Sequence, residues 1–189
     1  MASTGLRRVS RLPGLRQLRP YWWPLLSRLR NLMVLPASLP GLIRDPQQRA
    51  LFRETQAFIR ALPERLQEPL PIAIMRLNGN MPAERPSPQT EKVTRNLADL
   101  AVLLHRRSPL GICLRRSLTR YYFLRRAGLP LQVHFGARFL DGKPDREITG
   151  HAWLTLDDQP YHEPGKNWRG FTVMLSFPSN KKAKNDNNP

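Results

Sequence analysis

The chain has 189 residues, of which 40% are apolar, 19 are proline and one is cysteine, and its formal net charge is +17. This length suits one compact domain with an extension, or two small halves. A single cysteine excludes an internal disulfide and a multi-cysteine zinc site, and it fits a reducing compartment, so we expect a cytoplasmic protein. No stretch reaches the roughly 20 apolar residues of a transmembrane helix.

The positive charge is concentrated at the start of the chain. Residues 1–44 contain no acidic residue and eight arginines, which are Arg7, Arg8, Arg11, Arg16, Arg19, Arg28, Arg30 and Arg44. Such a segment favours an anionic partner: nucleic acid, an anionic membrane surface or an acidic peptide. Nucleic acid is the least favoured of the three, because no helix-turn-helix or aromatic single-strand platform is visible.

Residues 21–34 are predicted to form a short amphipathic helix with Arg28 and Arg30 on its polar side. This helix can lie in an anionic membrane interface or pack its apolar side on the domain, and packing is the commoner outcome. A second helix is predicted over 45–62, with Asp45 as its N-cap, and Pro63 is expected to end or kink it. Residues 78–90 show no periodic pattern and are predicted to be a linker at a domain boundary.

The second half of the chain changes from helices to strands. Helices are predicted over 91–106 and 112–127, and the second is closed by Gly128 and Pro130. Strands are predicted at 132–139, 151–156, 159–163 and 171–177, with a turn at 141–144 and a hairpin around Asp157–Asp158. The order predicts an α+β domain with an antiparallel sheet. We therefore expect three parts: a basic, mostly helical region over 1–90, a catalytic domain over 91–178 and a disordered tail over 179–189.

Cys113 is placed in the first turn of the helix over 112–127. A helix N-terminus favours the thiolate, which is the nucleophilic form of cysteine, and Arg115 and Arg116 add positive charge. A lone cysteine is more often buried and inert, so its position alone does not establish catalysis.

A thiolate nucleophile needs a base, and His151 is the best placed of the four histidines. It opens a strand in Gly150-His151-Ala152-Trp153, where small neighbours leave its ring accessible and Trp153 can shield it from water. His105 lies on the preceding helix, whereas His134 and His162 sit within strands where structural roles are plausible. A cysteine at a helix end facing a histidine on a strand is the arrangement of nucleophilic thiol catalysis.

Glu163 is the candidate acid that would orient His151. Asp157 and Asp158 lie some 20 Å away at the far end of the hairpin, at about 3.3 Å per residue. A two-residue loop at Asp157–Asp158 would place Glu163 on the face opposite His151. We therefore predict a loop with an odd number of residues, which puts both side chains on one face.

The ordered motifs of this half resemble the transglutaminase-like superfamily. They are Cys113-Leu-Arg-Arg-Ser-Leu118, Leu124-Arg-Arg-Ala-Gly-Leu-Pro130, Gly136-Ala-Arg138 and Gly150-His-Ala-Trp-Leu154. More narrowly, they are similar to the lasso-peptide biosynthesis B2 protein, a leader peptidase related to the microcin J25-processing protein. The resemblance implies a papain/transglutaminase-like fold with Cys113 as nucleophile and His151 as base. The family's acid is an Asp followed by Pro, and Glu163-Pro164 is the corresponding pair here.

The resemblance also implies the reaction. It is thiol-dependent removal of a leader peptide from a ribosomally made precursor, with a small leader-binding protein and a separate cyclase as partners, and without a metal or cofactor. Two alternatives stay open. In one, an amine resolves the thioester, as in transglutaminase-type acyl transfer. In the other, the chain is a non-catalytic basic binding module that keeps the fold.

Overall fold

The computed structural model describes residues 34–78, 81–105, 107–139, 148–163 and 167–179. The predicted helix over 21–34 and the predicted turn over 141–144 lie outside these ranges, except for Val34, and so does the tail beyond residue 179. Five helices come first in the described part: α1 (Val34–Arg44), α2 (Pro46–Arg65), α3 (Leu70–Leu77), α4 (Pro88–Leu104) and α5 (Ile112–Arg126). They are followed by strands β1 (Leu131–Phe139), β2 (Ile148–Leu156), β3 (Gln159–Pro160) and β4 (Thr172–Phe177), with a 3₁₀ turn at Asn167–Gly170.

Helix α2 begins as predicted and ends later than predicted. The Asp45 side chain accepts hydrogen bonds from the backbone N–H groups of Gln47 and Gln48, and Pro46 occupies the first helical position. Pro63 does not end the helix, which continues to Arg65. Pro63 cannot donate the bond to the Ile59 carbonyl one turn earlier, and the helix continues for only two residues beyond it.

Residues 78–90, which were predicted to be a linker, contain less coil than expected. Helix α3 precedes them and was not predicted, and α4 begins already at Pro88, where the Ser87 side chain accepts a hydrogen bond from the Thr90 N–H. Tyr121 donates a hydrogen bond to the Asn78 side chain at 3.0 Å, which attaches the start of the stretch to α5. The domain boundary placed here stays a prediction.

Helix α5 ends at the predicted stop signal. Gly128 has a φ of +100°, and the N–H groups of Gly128 and Leu129 bond the carbonyls of Arg125 and Leu124 at 2.9 Å each. This pair of bonds satisfies the last carbonyls of the helix, and the left-handed conformation favours glycine. Gly128 thereby turns the chain from α5 directly into β1.

The four strands form one antiparallel sheet in the order β3-β2-β1-β4, which confirms the predicted α+β class. Leu131, Val133 and Leu154 lie on one face and are buried in a core shared with all helices from α2 to α5. The helical members of this core are Phe58, Ile59, Leu62, Ile74, Leu77, Ala101, Val102, Leu118, Tyr121, Phe123 and Leu124. Helices α2 and α3 therefore pack into the same core as α5 and the sheet.

The prediction that the hairpin loop has an odd number of residues is wrong. Leu156 pairs with Gln159, which leaves the two-residue loop Asp157–Asp158. Both loop residues have positive φ, 49° and 62°, as a type I′ turn requires, and aspartate tolerates this conformation better than most residues. Strand β3 then ends at Pro160, much earlier than the predicted residue 163.

Within the described part of the chain, none of the helices is long and apolar enough to cross a membrane.

Substituting Gly128 by alanine should destabilise the fold. A Cβ atom at this position would lie 2.1 Å from the Glu84 carbonyl oxygen, and the positive φ would be strained. We expect G128A to lower the free energy of unfolding by about 2 kcal/mol or more, measured by urea denaturation. G150A is a matched control, because a Cβ atom there meets nothing closer than the Gly136 carbonyl oxygen at 3.9 Å. Equal stability of the two variants would contradict this prediction.

Candidate active site

Cys113 lies in the first turn of α5, where the structure favours its ionised form. The N-cap residue of α5, Gly111, has no side chain that could accept a hydrogen bond from the first N–H groups of the helix. Burial of the thiol acts to raise its pKa, but a hydrogen bond with His151 and the backbone N–H groups of Ala152 and Leu114 outweigh burial, so the pKa of Cys113 is lowered. The result is a thiol that ionises more readily than an ordinary cysteine.

The N-terminal end of α5 meets the open edge of β2 at Ala152. Strand β3 pairs only with Thr155 and Leu156, so no described strand covers β2 at this level. The Ala152 N–H reaches the Cys113 thiol, and the Ala152 carbonyl accepts a 2.8 Å hydrogen bond from the Ser117 hydroxyl. Two backbone groups of one strand residue thus fix the first two turns of the helix beside His151.

His151 contacts the thiol on one side and a carboxylate on the other. The pKa of His151 is raised to about 9, first by the hydrogen bond with Cys113 and then by the interaction with Glu163. Burial acts in the opposite direction. The imidazole therefore holds a proton at neutral pH, and the lowered pKa of the thiol favours its ionised form. Both shifts are in the direction that favours a thiolate–imidazolium pair.

Aromatic rings pack against the His151 imidazole. Trp153, which is only 3% exposed, stacks on it with 5.8 Å between centroids and 16° between planes, and the Phe171 ring is tilted against it at 5.2 Å. Gly136 pairs with His151 across the sheet, and its lack of a side chain leaves room for both rings. The sequence predicted the shielding by Trp153, whereas Phe171 carries no motif that would have identified it.

Glu163 reaches His151 despite the two-residue hairpin loop. Tyr161 still bonds the Leu154 carbonyl through its N–H at 2.8 Å, but His162 has a φ of +48° and turns the chain out of the strand path. The Glu163 carboxylate consequently lies 3.7 Å from His151 Nε2, and its side chain is only 3% exposed. The predicted juxtaposition is present, but it arises from a left-handed turn instead of strand register.

The contact between Glu163 and His151 is electrostatic. A separation of 3.7 Å is too long for a hydrogen bond, and His151 Nε2 is buried without a hydrogen-bond partner. Arg116, one helical turn after Cys113, approaches both carboxylate oxygens at 3.5 Å. The carboxylate therefore stands between an arginine and the imidazole.

Arg115 supports the loop that precedes Cys113. Its guanidinium donates hydrogen bonds to the carbonyls of Leu110, at 3.1 Å from Nε, and of His105. The residue is 6% exposed. The sequence pointed to Arg115 and Arg116 only as local positive charge, whereas each has a specific partner.

The other histidines take structural positions. His134 hydrogen-bonds Ser176 and Thr155 at 2.7 and 2.8 Å, and His105 caps the end of α4. His162 contacts Arg95 at 2.6 Å. Among the residues that the structure describes, no three His, Cys, Asp or Glu side chains are grouped so that they could hold a metal ion.

A side chain at position 136 should disturb the ring stack on His151. A Cβ atom there would lie 2.9 Å from the Phe171 Cβ and from two atoms of the Trp153 ring. We expect G136A to cost about 1–3 kcal/mol of stability and to change the near-UV circular dichroism of Trp153. G170A is the control, because the nearest atom is the mobile end of Arg138 at 3.3 Å. If G136A keeps the wild-type spectrum and stability, the packing described here is incorrect.

Comparison with known proteins agrees with the α+β fold. The sequence model of the transglutaminase-like superfamily matches residues 63–176, which is more than half of the chain. No curated protein and no solved structure gives a match. The matched range runs from the last three residues of α2 into β4 and includes Cys113, His151 and Glu163. The chain belongs to the transglutaminase-like superfamily.

Proposed function

We propose that this protein is a cysteine peptidase that removes a leader peptide from a ribosomally made precursor. Cys113 is the nucleophile, His151 the general base and acid, and Glu163 the acid that orients the imidazole. The observation that carries the proposal is the contact between the Cys113 thiol, whose pKa is lowered, and the His151 imidazole, whose pKa is raised to about 9. The superfamily, which includes cysteine peptidases and acyltransferases, supports thiol chemistry of this class.

The proposed reaction has two halves. The Cys113 thiolate attacks the scissile carbonyl, and the Cys113 backbone N–H at the start of α5 donates to the developing oxyanion. The carbon–nitrogen bond breaks as His151 gives its proton to the leaving amine, which leaves a thioester. His151 then takes a proton from water, the hydroxide displaces the sulfur and the carboxylic acid product leaves. Glu163 stabilises the imidazolium that is present at the start and end of the cycle.

The choice of a leader peptide as substrate follows from the resemblance to the lasso-peptide B2 proteins. A small leader-binding protein would present the precursor, and a separate cyclase would close the ring. The eight arginines of residues 1–44 favour contact with an acidic leader, with such a partner or with an anionic membrane surface. These partners and a cytoplasmic location are part of the proposal.

The pH dependence of Cys113 alkylation tests the nucleophile directly. The chain has one cysteine, so incorporation of iodoacetamide, followed by intact-protein mass spectrometry, reports on Cys113 alone. Because the pKa of the thiol is lowered, alkylation at pH 6 should be faster than that of an ordinary thiol, which has a pKa of about 8.5 and is almost entirely protonated there. We expect H151A to slow the reaction at pH 6 at least about tenfold and to move its midpoint toward the usual value.

H105A is the control for the histidine substitution, because only the backbone of His105 contacts Arg115. It should alkylate at the wild-type rate. Slow wild-type alkylation at pH 6, or a profile unchanged by H151A, would refute a thiolate–imidazolium site.

Cleavage of a precursor peptide tests the reaction. The probe is any short precursor peptide found encoded beside this gene, incubated with the protein and any adjacent leader-binding protein in ¹⁸O-labelled water and a labelled amine. Hydrolysis should place ¹⁸O in the new carboxylate, and C113A should abolish it. H151A should lower kcat about 10²–10⁴-fold, and the basic limb of the pH profile should fall near pH 9, where His151 loses its proton.

Two outcomes would count against hydrolysis. Amide formation with the labelled amine, without ¹⁸O incorporation, would assign the site to acyl transfer. Fast alkylation of Cys113 with neither product from the peptide would show that the leader-peptide assignment is wrong while the thiol site is correct.

A further inference from the structure

Two arginines on one side of α5 hold the segment that carries Glu163. Arg116 and Arg120 are four residues apart, so their side chains project from the same side of the helix. Arg116 approaches both Glu163 carboxylate oxygens at 3.5 Å, and the Arg120 guanidinium approaches the His162 carbonyl at 3.5 Å. One arginine therefore contacts the acid and the other contacts the backbone immediately before it.

The sheet does not fix this segment. The ladder between β2 and β3 ends at Pro160, and beyond the Tyr161–Leu154 hydrogen bond no described backbone bond of the sheet extends to His162 or Glu163. His162 adopts a positive φ, which is unfavourable for a residue that is not glycine and persists only where its surroundings impose it. The contacts from the helices supply what strand pairing does not.

Contacts from α4 hold Arg120 and the His162 ring in place. The Arg120 guanidinium makes two 2.6 Å hydrogen bonds to the Asp99 carboxylate on α4, and Arg120 is 5% exposed. Arg95, also on α4, contacts the His162 ring at 2.6 Å. A two-point Arg–Asp contact has a fixed geometry, so Arg120 has little freedom to move away from His162.

Because the Glu163 side chain is buried, its carboxylate depends on an oppositely charged partner. A carboxylate whose side chain is only 3% exposed needs nearby charges to offset its lost hydration. His151 alone, at 3.7 Å and without a hydrogen bond, is a weak partner. Arg116 carries a permanent charge at a shorter distance.

We propose that Arg116 is the positioning residue of this site, and that it keeps the Glu163 carboxylate directed at His151 while Arg120 fixes the backbone at His162. The proposal rests on the proposed function, since it takes His151 as the base. It assigns Arg116 an effect on Cys113 that passes through Glu163 and not directly through the charge of the guanidinium.

The test is a double-mutant comparison based on alkylation of Cys113 by iodoacetamide between pH 5 and 9.5. R116Q and E163Q should each slow alkylation at pH 6 by about tenfold and shift the profile in the same direction. In the E163Q background, R116Q should change the rate less than twofold, because the Glu163 carboxylate through which Arg116 acts is already absent. R116K, which keeps the charge but loses the two-point fork, should restore part of the rate.

R126Q is the matched control on the same helix. Arg126 pairs with Glu54 at the surface, away from Cys113, and its loss should leave the alkylation profile unchanged. Near-UV circular dichroism of each variant checks folding. If R116Q does not fold, R116K compared with and without E163Q provides the same comparison.

Two results would overturn the inference. A wild-type profile for R116Q would show that Glu163 is positioned without Arg116, and a further tenfold loss in the E163Q background would show that Arg116 acts directly on the thiolate. Failure of the proposed function is distinguishable, because it would appear as slow alkylation of the wild-type protein at pH 6.

Discussion

The contact between the first turn of α5 and the open edge of β2 determines the arrangement of the site. Ala152 faces the helix with both of its backbone groups, one toward the Cys113 thiol and one toward the Ser117 hydroxyl. Because β3 is only two residues long, this part of the edge remains available to the helix. The same contact places His151, the preceding residue, against the thiol. A longer β3 would compete with α5 for this edge.

The charges around this contact are arranged in series. In the proposed ionised state of the site, the thiolate of Cys113, the imidazolium of His151, the carboxylate of Glu163 and the guanidinium of Arg116 alternate in sign along a path that starts and ends on α5. Each buried charge then has an opposite neighbour, which is the condition under which burial of several ions is tolerated. Trp153 and Phe171 limit the access of water to the imidazole, so its interactions with both neighbours are screened less than at the surface.

The features that depend on local sequence could be predicted, whereas those set by distant contacts could not. The Asp45 cap, the stop at Gly128 and the placement of Cys113 at a helix start follow from neighbouring residues. Helix α3 was missed because it is only eight residues long and lies beside a proline-rich stretch. The loop length at Asp157–Asp158 was wrong because the argument assumed that strand pairing continues to Glu163. In the molecule, arginines 42 and 47 residues earlier in the chain contact this segment, and no pattern within the hairpin reveals that.

The Arg85–Asp157 ion pair has a consequence for the order of folding. It joins the segment before α4 to the tip of the hairpin across 72 residues, and Glu91–Tyr161 and Glu54–Arg126 span similar separations. Contacts of such long range form only after large loops have closed, which slows folding relative to a helical bundle of equal size. The hairpin tip and the helices before β1 are therefore expected to gain protection from hydrogen exchange together, late in folding, as one cooperative unit.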